Sequence, residues 1–551
     1  MEQIRANIKY LYPAHINSVM RDIALLVAKY QSIFSPENRG FNANDVILIT
    51  YADSFKNGDE NGLQTLHKVC KKYLSDTISG IHILPFYPST SDDGFSVTDY
   101  KKVNPELGDW NNIQELGETF QLMFDAVINH ISKSSDWFSK FLNGDNEADD
   151  FFISENPDNE ELAKVIRPRT TPLLHDYIRK GERISIWTTF SEDQVDLNYS
   201  NPKVFLKVLD VLLFYISKGV KFIRLDAVAF LWKTIGTDCL HLHQTHVIIQ
   251  TYRKIIERIA PHTVIITETN VPHTENISYF GTGYNEAHMV YNFSLPPLLA
   301  YSLINENIEV LTEWANSLSL PSDQCCFFNF TASHDGIGLR PLQGLIPDES
   351  IRELAKIAIR NGGFVSSKSN SDGTTSPYEI NCNYMDLLTC PNLENHLRVK
   401  RFMLTQSVML CMPGVPGIYY HSIFGSGNDR QGAFNSGINR RINRQKLQLK
   451  EFENELQSPG NIRQLVFQQY KRLLKARKQE VAFHPTGKAK FTNDDDVFVI
   501  ERSYNNETIV CLHNFSGKRK DISKYTDNRL RLTNNNTTKN SLEPYGFEWF
   551  K

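Results

Sequence analysis

The chain has 551 residues, 41% of them hydrophobic, and a formal net charge of −4; that is ordinary for a soluble globular protein of several domains with room for a large core. No basic excess points to nucleic acid, no apolar run reaches the roughly 18 residues of a membrane span, and the first residues, MEQIRANIKYLYPAHINSVM, lack the charged-then-apolar pattern of a signal peptide. Eight scattered cysteines with no CxxC pair fit reduced thiols in a cytoplasm.

Residues 1–44 read as a helical N-terminal extension. Eight β-rich runs follow in order: 45–51, 81–86, 122–129, 220–228, 263–269, 288–295, 325–333 and 415–420. Several of the segments between them carry helical periodicity, among them VFLKVLDVLLFYISKG and HVIIQTYRKIIERIA. Alternation of this kind predicts parallel strands with helical crossovers. Eight units predict an α/β fold, a (β/α)₈ TIM barrel, over 45–130 and 196–480. Two spacings exceed one helix. Residues 131–195 read as a domain inserted after the third strand, and 336–400 as a smaller insertion after the seventh. From 481 to 551 short alternating runs predict an all-β C-terminal domain.

Polar groups cluster where the predicted strands end. The second runs into Asp92 and Asp93; the third gives Asp125, Asn129 and His130; the fourth Arg224 and Asp226; the fifth Glu268; the seventh His334 and Asp335. In a barrel these ends share one mouth. The set suits glycosidic chemistry, in which one carboxylic acid protonates the leaving oxygen and a second carboxylate attacks the anomeric carbon or activates water. Direct attack retains the anomeric configuration and wants the two carboxyl groups roughly 5–5.5 Å apart. Residues two apart on a strand share a face, so Arg224 would keep Asp226 ionised. Asp125 and Asn129, behind His130, read as supporting the site and not as reacting groups. The CLHLHQTH run from Cys239 to His246 invites a metal reading, but no acidic partner lies at ligand spacing, and the chain is read as needing no metal or cofactor. GTG at Gly281–Gly283 reads as a turn.

DAVINH, FIRLDAVAF, IITETN and FTASHD, in that order, resemble the four signature regions of the α-amylase family of glycoside hydrolases and transglycosidases. The resemblance spans roughly residues 45–480. It implies Asp226 as nucleophile, Glu268 as general acid/base and Asp335 as transition-state stabiliser. His130 and His334 would then bind sugar hydroxyls. Within the family the chain resembles the sucrose phosphorylase subfamily. HILPFYPSTSDDGFSVTDY implies Asp92 and Phe95 at the glucosyl unit. WTTFSEDQVDLNY implies a wall of Phe190 and Gln194, and GINRRINRQ an arginine partner for Asp92, either Arg440 or Arg444. IRPRTTPLL implies phosphate binding by Arg167 and Arg169; the alternative is a surface loop with solvated charges. Arginine forks suit phosphate, which would be a co-substrate.

The acceptor side departs from the sucrose phosphorylases. Ser376, Pro377, Tyr378 and Glu379 stand where they have Asp-Leu-Tyr-Gln, and Phe230 where they have Tyr. Tyr378 remains a candidate substrate contact. ITYADS, ETNVPH, FFNFTASHDGIG and RINR resemble the glucosylglycerate phosphorylases instead. This implies a retaining phosphorylase acting on 2-O-α-glucosyl-D-glycerate. Sucrose or sucrose 6′-phosphate phosphorylase, an α-glucosidase and a non-catalytic barrel are the alternatives. The expected partners are small molecules, a glucoside and phosphate, with no nucleic acid or membrane. Oligomeric state is not legible.

Overall fold

A computed structural model of the protein describes residues 1–31, 40–169, 171–369, 374–533 and 540–551. Parts of the expected N-terminal extension (32–39), the arginine loop (170), the second insertion (370–373) and the C-terminal domain (534–539) lie outside the described residues. Eight parallel strands close into a barrel in sequence order: β1 Ile47–Thr50, β2 Gly80–Ile83, β3 Gln121–Ala126, β4 Val220–Leu225, β5 Val264–Thr267, β6 Met289–Tyr291, β7 Cys326–Asn329 and β8 Val415–Tyr419. Each falls within or beside a run the sequence predicts. All six residues of β4 are buried; a parallel strand covered on both faces wants such a continuous apolar run. Among the described residues no helix is long and apolar enough to cross a membrane.

The chain divides into two compact units. The first comprises Met1–Gly40, His82–Thr269 and Ile277–Val290. In it the N-terminal helices Glu2–Leu11 and Ile16–Tyr30 pack on His243–Ile259 and Pro202–Ser217 respectively. The helix at 202–217 starts on an Asn201 cap with Pro202 at its first position, where a missing N–H is harmless. The stretch after β3 leaves and returns through two antiparallel strands, His130–Ser132 and Gln194–Asp196, with His130 opposite Asp196. This clasp lets a long excursion begin and end at one point, since loop closure grows costly only slowly with length. Between its ends lie the helix Asp136–Asn143 and the hairpin Leu174–Arg179/Glu182–Trp187.

The second unit comprises Phe41–Ile81, Asn270–Asn276 and Tyr291–Lys551. Its segment after β7 forms a three-stranded antiparallel sheet in which Thr375–Asn381 lies between Ile337–Gly338 and Phe364–Ser369, with the helix Asp348–Arg360 against it. The C-terminal region is a four-stranded antiparallel sheet, as predicted, with one strand, Lys488–Asp494, that sequence reasoning missed. Asp495–Asp496 and Asn505–Asn506 all have positive φ, and these two-residue connections suit tight hairpins whose turn residues are left-handed. Val497, Val499, Val510, Leu512 and Phe550 form this sheet's core.

Two buried histidines make stability depend on pH. Burial pushes His421 well below the usual imidazole range, helped by the charges of Arg463 and Lys446. Burial also lowers His130, against the opposing pull of Asp196. A histidine held neutral in the fold but free to protonate when unfolded stabilises the fold above its unfolded pKa, about 6.5, and loses that contribution as pH falls below it. The loss reaches about 1.4 kcal/mol per pH unit for each group. The melting temperature is therefore expected to fall between pH 7.5 and 5.5; a level or rising profile in calorimetry would contradict this.

Candidate active site

The opening of the site is a register effect. β3 and β4 run in parallel with Asp125 opposite Arg224, and Asp226 follows two residues on, toward the same face. Arg224 Nη1 donates to Asp125 and, at 2.7 Å, to Asp226 Oδ1, while Nη2 stands 3.9 Å from Glu268 Oε2. His82 Nε2 meets Asp125 Oδ2 at 2.6 Å. Side-chain exposure rises along this network: Asp125 0%, Arg224 2%, Asp226 11%, Glu268 13%. The inner pair is therefore support, and the two outer carboxylates are the ones that can meet a substrate.

The backbone aims them. β4 and β5 are aligned with Arg224 opposite Ile266 and Leu225 opposite Thr267. Glu268 lies one residue past the end of β5, its N–H bonded to Leu225 O at 3.1 Å, as Asp226 N–H is to Ala126 O at 3.1 Å. The ladder thus carries Glu268 up beside Asp226, on strands about 4.8 Å apart. Ala227 then turns left-handed, φ +52°, and its N–H donates to Glu268 Oε2 at 3.2 Å. A non-glycine residue in that region costs on the order of 1–3 kcal/mol. Here the strained turn fixes the second carboxylate.

In the same unit a wall stands over His130. The His130 ring lies 5.2 Å from that of Phe190, which packs edge-on to Phe230 at 5.5 Å. His130 Nε2 is 3.1 Å from Phe95 O and Nδ1 is 3.3 Å from Asn129 Nδ2. A neutral ring protonated on Nε2 satisfies both contacts. Gln194 Nε2 donates to Asp92 Oδ2 and to Phe95 O, each at 3.4 Å. Asp92 and Asp93 both have positive φ; they sit in a short 3₁₀ turn, Asp92–Gly94, well past the end of β2. Arg169 lies over the Phe190 ring at 6.0 Å. Arg167 Nη2 donates to Thr171 Oγ1 at 3.0 Å and Thr189 O at 3.4 Å. Its Nε is buried with no hydrogen-bond partner among the described residues. Burial draws the Arg167 guanidinium below its ordinary pKa, and Arg169 adds to that against Asp196.

The second unit carries its own charged cluster. Arg440 holds buried Glu379 bidentately, Nε to Oε1 at 3.0 Å and Nη2 to Oε2 at 2.7 Å, and gives Nη1 to Asp335 Oδ1 at 2.6 Å. His334 Nε2 stands 3.4 Å from Asp335 Oδ2. Arg444 Nε donates to His334 O at 2.8 Å and its guanidinium lies 6.0 Å from the Tyr51 ring. The glycines of HDGIG make this packing possible. A Cβ on Gly336 would fall 2.4 Å from Glu379 Cγ, and one on Gly338 2.3 Å from Asn270 Oδ1. Tyr378 is buried, with its carbonyl accepting from Leu339 N–H at 2.9 Å.

Sequence reasoning missed three members. Glu379 is the bidentate partner of Arg440. Asp196 and Lys233 form a buried pair at 2.7 Å, and Asp196 also accepts from Asn129 at 3.0 Å and from Thr189 N–H at 2.7 Å. Asp196 stands between the apolar Val195 and Leu197 in an otherwise polar stretch, so no local pattern marked it. Of the CLHLHQTH run, His241 bonds Tyr279 at 2.7 Å and His246 bonds Glu286 at 2.8 Å.

The family model for the α-amylase catalytic domain matches residues 49–335. Glucosylglycerate phosphorylase of Escherichia coli (strain K12) is 49% identical over 446 residues, which cover 81% of this chain and 80% of that protein. Glucosylglycerate phosphorylase of Spirochaeta thermophila is 46% identical over 475 residues, 86% of this chain and 80% of that one. Among solved structures, sucrose 6F-phosphate phosphorylase from Thermoanaerobacter thermosaccharolyticum superposes with a TM-score of 0.76 at 26% identity, covering 87% of this chain and 95% of that one.

Proposed function

The chain belongs to the α-amylase family, and on that footing we propose that it is a retaining glycoside phosphorylase, moving an α-glucosyl unit from 2-O-α-glucosyl-D-glycerate to inorganic phosphate. Asp226 attacks the anomeric carbon as Glu268 protonates the departing glycerate oxygen. The β-linked glucosyl ester on Asp226 is then attacked by phosphate, whose proton passes to Glu268, and α-D-glucose 1-phosphate leaves. Asp335 stabilises the oxocarbenium-like transition state. Asp92, Phe95, His130, Phe190, Gln194, Arg224, His334, Tyr378, Arg440 and Arg444 surround or orient the substrate. No organic cofactor or metal enters the scheme.

The observation that carries phosphorolysis over hydrolysis is the pair of guanidiniums at the Phe190 wall, Arg169 over the ring and Arg167 with its Nε unpartnered among the described residues. Two arginines brought together need an anion, and their forks match phosphate. For the acceptor, the support is the identity of 42–49% to glucosylglycerate phosphorylases, against 30% to a sucrose 6F-phosphate phosphorylase.

A donor panel with phosphate tests this: glucosylglycerate, glucosylglycerol, sucrose and sucrose 6′-phosphate, read as α-glucose 1-phosphate formed. Glucosylglycerate should exceed the others by at least about tenfold in kcat/KM, a gap of about 1.4 kcal/mol. Arg169→Ala should raise the KM for phosphate about tenfold with a smaller change in kcat. Release of free glucose at a rate indifferent to phosphate would make the enzyme a hydrolase. A preference for sucrose 6′-phosphate would make it a sucrose 6′-phosphate phosphorylase.

A further inference from the structure

Resting on the assignment of Asp226 as the nucleophile, we propose that His82 is a positioning residue for the reaction: by binding the second oxygen of Asp125 it limits the pull of that carboxylate on Arg224, and so keeps Asp226 ionised and aimed. His82, Asp125, Arg224, Asp226 and Glu268 all belong to the first unit.

His82 lies inside β2, GIHI, whose four residues are all buried. Its ring and the Asp125 carboxylate are each fully buried, with Nε2 2.6 Å from Oδ2. The other oxygen of Asp125 accepts from Arg224. A carboxylate paired with a guanidinium is an acceptor only, so Nε2 carries the hydrogen between ring and carboxylate. His82 Nδ1 is buried with no hydrogen-bond partner among the described residues. A buried ring with one nitrogen unsatisfied destabilises the fold relative to an apolar side chain. Packing alone would favour leucine or phenylalanine at this place in an apolar strand. What the imidazole adds is the contact with Asp125.

Arg224 stands between two carboxylates. Its Nη1 donates to both, to Asp125 and, at 2.7 Å, to Asp226, and its guanidinium lies over the Phe95 ring at 5.7 Å. With His82 replaced by an apolar side chain, Asp125 Oδ2 loses its donor in a fully buried place, and the charge of that carboxylate draws Arg224 inward. Asp125 stays ionised, because the guanidinium remains against it. Asp226 then holds less of the guanidinium and protonates more readily. The other titratable groups near this network do not offset the change. Tyr87 donates to Asp125 O at 3.1 Å, and Tyr215 stacks on Tyr87. Burial above all pushes both phenols well above their ordinary range, so neither changes charge in acid. Burial also holds His130 below the usual imidazole range. Glu268, 3.9 Å from Arg224 Nη2, is common to wild type and variants.

The probe is α-D-glucosyl fluoride, with inorganic phosphate as acceptor. The Asp226 carboxylate bonds the anomeric carbon as the C–F bond breaks, and fluoride leaves as an anion without a proton from Glu268. The acidic limb of kcat/KM against pH, read as fluoride released, then reports Asp226 in the free enzyme. In His82→Phe this limb should move up by about one pH unit, a loss of about tenfold below it, while the plateau above it stays within about threefold of wild type. His82→Gln, whose amide nitrogen falls near the place of Nε2, should keep the wild-type limb. His82→Asn, whose nitrogen falls near that of Nδ1, should shift it as phenylalanine does. Should His82→Phe fail to fold, the glutamine and asparagine variants carry the test. A limb within about 0.3 pH unit of wild type in the folded phenylalanine or asparagine variant would overturn the proposal. So would a downward shift, or an equal loss at every pH, which would make His82 a packing residue. Undiminished fluoride release in Asp226→Asn would instead remove the nucleophile on which this role depends. Absence of fluoride release by the wild type would sink the retaining mechanism itself.

Discussion

Asp226→Asn should lose at least about 10⁴-fold in turnover, some 5.5 kcal/mol of barrier, while the protein still folds. The reason lies in the gradient of burial around Arg224. Asp226 is the partly exposed member of a network whose buried members are Arg224, Asp125 and His82. An amide is isosteric and can still accept from Arg224 Nη1, but its oxygen is too weak a nucleophile to form the ester. Charge balance survives, because Asp125 remains opposite Arg224. Removing one partner from a fully buried pair would cost several kcal/mol; here the carboxylate removed is at the rim and another stays. The melting temperature should therefore move by only a few degrees. Turnover within tenfold of wild type would remove Asp226 as nucleophile. A variant that does not fold would show the carboxylate to be structural instead, and Asp226→Glu, which keeps the charge but displaces the oxygen, would then distinguish the two: it should fold and remain at least about 10²-fold slow.

Glu268→Gln should split the two half-reactions. Expelling glycerate as an alkoxide is hard without a proton, so phosphorolysis of glucosylglycerate and transfer to glycerate should each fall at least about 10³-fold, within the usual range for loss of a general acid or base. Phosphate is already an anion, so it leaves and attacks with far less need of the proton that Glu268 exchanges with it. Exchange of labelled phosphate into α-glucose 1-phosphate should fall much less, about tenfold or under. The geometry supports the separation, since Glu268 is positioned by the Ala227 N–H at 3.2 Å, a contact a glutamine oxygen can keep. Equal losses in exchange and phosphorolysis would mean that the residue positions the glucosyl unit and does not transfer the proton.

The legible part of this protein was local. Strands buried on both faces must be continuous apolar runs, and all eight barrel strands could be read that way. So could the polar residues at their ends, because a charge interrupting such a run is costly without a use. The edges were less distinct. Glu268 falls just past β5, and Asp92 lies in a turn far from β2, since a polar stretch such as STSDDG carries no period. The strand Lys488–Asp494, KAKFTND, holds one large apolar residue among charged and polar ones, and so offers too little hydrophobic signal.

The sequence by itself determined the kind of chemistry, because Arg224 and Asp226 stand two apart at the end of one apolar run and Glu268 closes another. Only the tertiary structure decided the partners: Arg440 with Glu379 and Asp335, Asp196 with Lys233, and a strained Ala227 aiming Glu268. Those pairs join residues from separate strands and turns, and strand register and buried charge, which no local pattern encodes, choose among the many carboxylates that could have met each cation.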